Sequence, residues 1–236
     1  TCQGLPESQG PLWKNGDLNA FFEEIVDNEN GKGEFYRHLN PKALSRPKQK
    51  SNGASAPGVE KDGPWVVLLD NFLSEEEADR LVQIGHHQGF ERSVRAIDVG
   101  KFDTTDDRTS SNSWCKDRCM ADPVVTNVLE NIALTTKSTI NHSEHLQLLR
   151  YEPGQFYTTH HDFIPYQHDL PCGARIMTLF LYLNDVEEGG GTRFPQLDIT
   201  IQPKKGSALL WPNVKDDDPM ERDPRTHHEA LPVTKG

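Results

Sequence analysis

Between His145 and Trp211 the sequence breaks into short apolar segments parted by Gly, Pro or Asp, and this pattern limits the fold more than any other feature. The segments 145–151, 155–162, 175–183, 198–202 and 207–211 carry strand composition and are bounded by turn formers. Two helix signals stand ahead of them. Ser74-Glu75-Glu76-Glu77 is a capping box, and Ala78, Leu81 and Val82 give the helix behind it an apolar stripe. Asp122-Pro123 supplies an N-cap and a proline at N1 for a second helix, running to about Thr136. A strand-like segment, Glu91–Val99, lies between the two. Helices first and many short strands afterwards predict a β-sandwich or jelly roll flanked by helices.

The folded domain is expected to begin at the apolar run Trp65-Val66-Val67-Leu68-Leu69 and to span 65–236. Residues 1–64 are poor in core material and are expected to form an N-terminal arm and linker without chemistry. Within them Asp17–Val26 has the pattern of a short capped amphipathic helix, whereas Asn40 to Pro64 has linker composition. A net charge of -11 over 236 residues argues against nucleic acid or an anionic membrane as the main partner. There is no run of eighteen apolar residues that would span a bilayer. A chain opening on Thr1-Cys2 reads as a processed form, so any targeting segment or membrane anchor is expected only in a removed N-terminal portion. Of the four cysteines, Cys115 and Cys119 have no partner pair at zinc-finger spacing, which favours a local disulfide in an oxidising compartment. Cys2 and Cys172 could pair or stay free. Asn141-His142-Ser143 is a glycosylation sequon and points the same way.

The chemistry concentrates in His160-x-Asp162. In an extended segment the period of two puts both side chains on one face, within reach of a single ion. Two imidazoles and one carboxylate on one side of an iron, with the other side open, form the facial triad of non-haem Fe(II) oxygenases. The second imidazole is available from His227-His228, and the residues alone do not choose between those two. Structural zinc sites are closed and usually thiolate-rich, which argues against that use of these histidines. The run Glu187-Glu188-Gly189-Gly190-Gly191 permits either a close backbone approach or an ordinary hairpin turn.

Longer motifs surround these residues. They are Leu149-Arg150-Tyr151-Glu152-x-Gly154-Gln155-x-Tyr157-x-x-His160-x-Asp162, Arg175-x-x-Thr178, Tyr182-Leu183-Asn184-Asp185, Gly189-Gly190-x-Thr192-x-Phe194-Pro195 and Asp223-Pro224-x-Thr226-x-His228-x-x-x-Pro232-Val233. Together with Arg108-Thr109-Ser110-Ser111, this series resembles the 2-oxoglutarate/Fe(II)-dependent prolyl 4-hydroxylases of the collagen, plant and algal type. The resemblance implies an α+β chain whose core is a double-stranded β-helix (jelly roll) flanked by N-terminal helices. It implies metal ligation and catalysis by His160, Asp162 and His228, because the family ligand stands four residues before the Pro-Val pair. Tyr151 and Thr192 would bind 2-oxoglutarate, and Tyr157, Arg175 and Trp114 would line a groove for a proline-rich or collagen-like peptide. The implied reaction converts peptidyl proline to 4-hydroxyproline in the endoplasmic reticulum lumen or secretory pathway, with Fe(II), 2-oxoglutarate, O2 and ascorbate. A related hydroxylase acting on lysine, or a jelly-roll binding module without turnover, are the alternatives. The family places a lysine ten residues beyond the second histidine, a register that falls past Gly236, so a further strand carrying it is expected.

Overall fold

A computed structural model describes residues 12–27, 34–48, 63–98, 101–169 and 173–236. In chain order the elements are α1 (Asp17–Val26), β1 (Pro41–Ser45), β2 (Val66–Leu69), α2 (Glu75–Gln88), β3 (Glu91–Arg92), β4 (Arg95–Asp98), β5 (Lys101–Asp103), β6 (Ser111–Trp114) and α3 (Pro123–Thr135). The strand-rich half follows with β7 (Gln147–Arg150), β8 (Tyr157–His160), β9 (Met177–Leu181), β10 (Glu188–Gly189), β11 (Thr192–Phe194), β12 (Ile199–Ile201), β13 (Ala208–Pro212), β14 (His228–Ala230) and β15 (Val233–Lys235). Two antiparallel four-stranded sheets dominate. The larger has the order β1-β2-β13-β9, and the smaller has the order β12-β11-β14-β8. This is the predicted jelly roll.

Alternation along β2 and β13 builds both cores at once. Val67, Leu69, Ala208 and Leu210 point to one side of the larger sheet, where they meet Phe22 and Ile25 of α1, Leu81 and Ile84 of α2, and Val128 and Leu129 of α3. Val66, Leu209 and Trp211 point to the other side, against Phe194 and Ile201 of the smaller sheet and Leu197 of the turn between their strands. A sheet buried on both faces needs apolar residues at every position, which is why β13 reads as the unbroken run Ala208-Leu209-Leu210-Trp211.

The helices start where their caps dictate. Ser74 Oγ accepts from the Glu77 amide at 3.1 Å and the Glu77 carboxylate accepts from the Ser74 amide at 2.9 Å. Asp122 caps α3 through Val124 N at 3.0 Å, while its second oxygen takes Arg80 of α2 at 2.8 Å, so one carboxylate starts a helix and ties it to its neighbour. Ser74→Ala should cost about 1 kcal/mol through loss of the cap. Urea unfolding would register that as a lower midpoint at unchanged slope.

Part of the N-terminal stretch, expected as an arm and linker, packs into the core of the domain. Phe21, Phe22, Ile25, Tyr36 and Leu39 are buried in the same core as the helices and the larger sheet. Phe22 stacks on Trp65 with ring centroids 5.7 Å apart, and Trp65 Nε1 donates to Asn19 Oδ1 at 2.9 Å. Residues 41–45, assigned to the linker by composition, form the edge strand β1 beside β2. Pairing with a sheet supplied the backbone partners that composition does not advertise. The rest of the expected linker, 49–62, lies outside the described residues, as do Cys2 and Cys172. Cys115 and Cys119 are joined in a disulfide within the helical core.

The glycine run is a close approach and not a simple turn. Gly189 and Gly190 adopt φ of +77° and +66°, and a Cβ on Gly189 would overlap the Pro232 carbonyl. That contact seats β10 against β15, just downstream of His228.

Candidate metal centre

β8 and β14 run antiparallel as neighbours, with His160 directly opposite His228. Asp162 follows two residues after His160, just past the end of β8, and turns back beneath the pair. His160 Nε2 lies 3.8 Å from Asp162 Oδ1, and His228 Nε2 lies 3.7 Å from Asp162 Oδ2. One ligand atom from each of the three residues falls within 4.8 Å of the others, the single such group of His, Cys, Asp or Glu among the described residues.

The adjacent histidines, each one residue outside its strand, are held by other partners. His161 Nδ1 accepts from the Phe163 amide at 2.9 Å, so its Nε2 carries the proton and donates to the Asp223 carbonyl at 2.9 Å. His227 packs on His161 at 4.9 Å between centroids and donates from Nδ1 to the Pro224 carbonyl. Neither ring has a nitrogen turned toward the triad.

The two triad imidazoles are oriented by one repeated device. His160 Nδ1 lies 2.9 Å from the Thr158 carbonyl, and His228 Nδ1 lies 3.1 Å from the Thr226 carbonyl. A carbonyl only accepts, so both rings carry their proton on Nδ1 and present the Nε2 lone pair to the centre. Burial, reinforced by the neighbouring His228, lowers His160 to about 3. Burial would raise Asp162, but the facing His228 and His160 and the Thr178 hydrogen bond outweigh it and hold the carboxyl at about 2. His160, neutral down to so low a pH, gives Asp162 little charge attraction near neutrality, whereas the Thr178 hydrogen bond and the Arg175 guanidinium persist there. At neutral pH the site therefore offers a neutral imidazole and a carboxylate without losing a proton. Two nitrogens and one oxygen on a single side fit an octahedral Fe(II) with open positions better than a closed zinc site.

Aromatic rings wall the centre. Trp211 meets the His228 ring edge-on at 4.9 Å, and Phe194 lies 5.6 Å from it. Tyr157 stacks on His160 at 3.5 Å between centroids, and the Arg108 guanidinium sits 4.7 Å over the Tyr157 ring. Tyr157, expected along the peptide groove, thus lies directly against a triad ring. Tyr151 is pushed up by burial, hydrogen-bonds Ser110 and feels the Asp162 charge. Thr192 is buried, stands across from Ala230 on the His228 face of β14, and accepts from Tyr182 Oη at 2.8 Å. Tyr182 itself is pushed up by burial to about 12.

The other predicted groove residues are less central. Arg175 is held by both oxygens of Glu144, at 2.5 and 2.9 Å, while still sensing Asp162. Trp114 ends β6 with 37% of its surface exposed. Lys235 pairs with Glu187 on the surface at 2.6 Å, away from the triad. The motifs contain Arg108 and Thr178 without giving either a role, and nothing in the sequence singles out Trp211 or Asn213. The geometry of extended backbone puts Trp211 and Asn213 on one face, but the sequence does not show which face meets Asp162.

A jelly roll whose facing strands present two Nδ1-anchored histidines and a carboxylate defines the 2-oxoglutarate/Fe(II) oxygenase class. Comparison with known proteins agrees: the 2OG-Fe(II) oxygenase superfamily matches residues 146–236. The chain is 34% identical over 180 residues to prolyl 4-hydroxylase subunit alpha-2 of Gallus gallus, covering 75% of this chain and 33% of that protein. It is 31% identical over 198 residues to prolyl 4-hydroxylase 1 of Arabidopsis thaliana, covering 78% of this chain and 69% of that one. Among solved structures it resembles a viral collagen prolyl hydroxylase of Paramecium Bursaria Chlorella virus-1 in a 2-oxoglutarate complex, with TM-score 0.53 and 28% identity over 75% of this chain and 93% of the other. The chain belongs to the prolyl 4-hydroxylase family. It spans about a third of the length of the avian subunit and about two thirds of the plant enzyme.

Proposed function

We propose that this chain hydroxylates peptidyl proline to 4-hydroxyproline, with 2-oxoglutarate and O2 as cosubstrates and Fe(II) held by His160, Asp162 and His228. The observation that carries the reading is the meeting of one ligand atom from each of those three residues within 4.8 Å, where β14 pairs with the distant β8. Bound iron supplies the oxidative chemistry, coupling decarboxylation of 2-oxoglutarate to succinate with activation of O2. The protein supplies orientation and a dry enclosure. Thr158 and Thr226 carbonyls fix the imidazoles, and Trp211 and Phe194 exclude water from the His228 side. Tyr151 and Thr192, both facing this enclosure, would hydrogen-bond 2-oxoglutarate.

The substrate is a proline-rich or collagen-like segment. Polyproline II is preordered and loses little entropy on binding an aromatic-lined groove. Tyr157, Arg175 and Trp114 would serve that groove, and ascorbate would act as the auxiliary reductant. The endoplasmic reticulum lumen or secretory pathway is the proposed location, supported by the Cys115–Cys119 disulfide and by exposure of Asn141 in its sequon. Among the described residues no helix is long and apolar enough to cross a membrane.

The deciding experiment adds O2 and a proline-rich peptide to protein loaded anaerobically with Fe(II) and 2-oxoglutarate. Succinate formation that depends on peptide, with a peptide mass gain of one oxygen atom, is the expected result. Metal binding with neither product would replace the hydroxylase by a binding module. His227→Ala should keep most of the turnover, because that half-buried ring donates to the Pro224 carbonyl and supplies no ligand atom to the centre.

A further inference from the structure

Behind the ligands, the larger sheet carries polar side chains where apolar ones would pack more simply. Thr178 of β9 stands opposite Trp211 of β13, and Asn213 follows two residues later on the Trp211 face. Asn213 is 0% exposed. Thr178 Oγ1 lies 2.7 Å from Asp162 Oδ2, and Asn213 Nδ2 lies 3.0 Å from Thr178 Oγ1.

Donor counting gives these contacts a direction. A carboxylate only accepts, so the single hydroxyl proton of Thr178 goes to Asp162. The hydroxyl oxygen must then accept, which obliges Asn213 to turn its amide nitrogen toward it. The other amide atom, Asn213 Oδ1, is left buried with no protein hydrogen-bond partner. Burying such an unmet group is a net cost to the fold. An apolar residue would avoid that cost, so the arrangement favours aim over packing.

What is aimed is one oxygen of the carboxylate. Asp162 Oδ1 faces His160 and Oδ2 faces His228 at nearly equal distances, so nothing in the imidazoles alone prevents both oxygens from turning to one ion. A carboxylate ligating through both oxygens would occupy one of the positions that a chelating cosubstrate and dioxygen require. We propose that Thr178, itself fixed by Asn213, is a positioning residue that restricts Asp162 to ligation through Oδ1 and so keeps those positions open. This inference rests on Asp162 being a metal ligand.

Co(II) binding to the full chain tests it without turnover, using the visible Co(II) spectrum and 2-oxoglutarate titration of the Co(II) protein. Thr178→Val should weaken 2-oxoglutarate binding about 10- to 100-fold and alter the Co(II) spectrum, with Thr178→Ser restoring both to within about threefold of wild type. Asn213→Leu should alter the spectrum in the same sense, which keeps the test open if Thr178→Val does not fold. A wild-type spectrum and wild-type 2-oxoglutarate affinity in folded Thr178→Val or Asn213→Leu would overturn the proposal, as would failure of Thr178→Ser to restore them. Asp162→Ala separates the two levels. If it binds Co(II) as wild type does, the ligand reading itself is wrong; if it loses Co(II) while Thr178→Val is unchanged, only the positioning role falls.

Discussion

His228→Ala will abolish peptide-dependent succinate formation, a loss well beyond the roughly 10- to 100-fold expected when a residue that merely orients a ligand is removed. The substitution takes away one of three donors and also uncovers Asp162 Oδ2, which faces His228 Nε2 at 3.7 Å. It leaves the fold-forming contacts of β14 with β8 and β11 largely to the backbone. The variant should therefore stay folded by circular dichroism while Fe(II) binding, followed by equilibrium titration, collapses. Equal loss in His227→Ala would mean that the register of β14 is displaced by one residue, because a one-residue slip exchanges the two faces of a strand.

Phe22→Ala is expected to destabilise the protein by about 3–5 kcal/mol, as large-to-small changes at fully buried aromatics do. Phe22 is 0% exposed and stacks on Trp65, the residue that leads into β2 of the larger sheet. The ring also meets Phe21 edge-on at 5.1 Å, so its removal opens a cavity lined by other aromatics that cannot close over it. Urea or thermal unfolding would measure the loss. A change below about 1 kcal/mol would make α1 a dispensable arm. The contrast matters for truncation: removing α1 would strip one wall from the core behind the sheet that carries Thr178 and Asn213.

Much of this organisation was legible in the sequence, and for identifiable reasons. Capping at Ser74 and Asp122 depends on side chains and amides within one turn, so α2 and α3 could be located from their own residues. The buried strands β2 and β13, and the half-buried β9, announced themselves as apolar runs because both their faces pack against core residues. His160-x-Asp162 was readable because alternation is a local property of extended backbone. The short strands β1, β11, β14 and β15 were missed as strands, since three to five residues with mixed exposure carry no periodic signal.

By itself, then, the sequence determined the local elements, the identity of the candidate ligands and, through the ordered motifs, the family. Tertiary structure alone decided that residues of 12–27 and 34–48 contribute to the main core, that β14 pairs with β8 so that His228 stands over His160, and that Thr178 and Asn213 lie in line behind Asp162. The physical reason is range. Caps and alternation act over a few bonds, whereas a contact across sheets depends on which strands become neighbours, and that is settled only when the whole chain has buried its apolar faces.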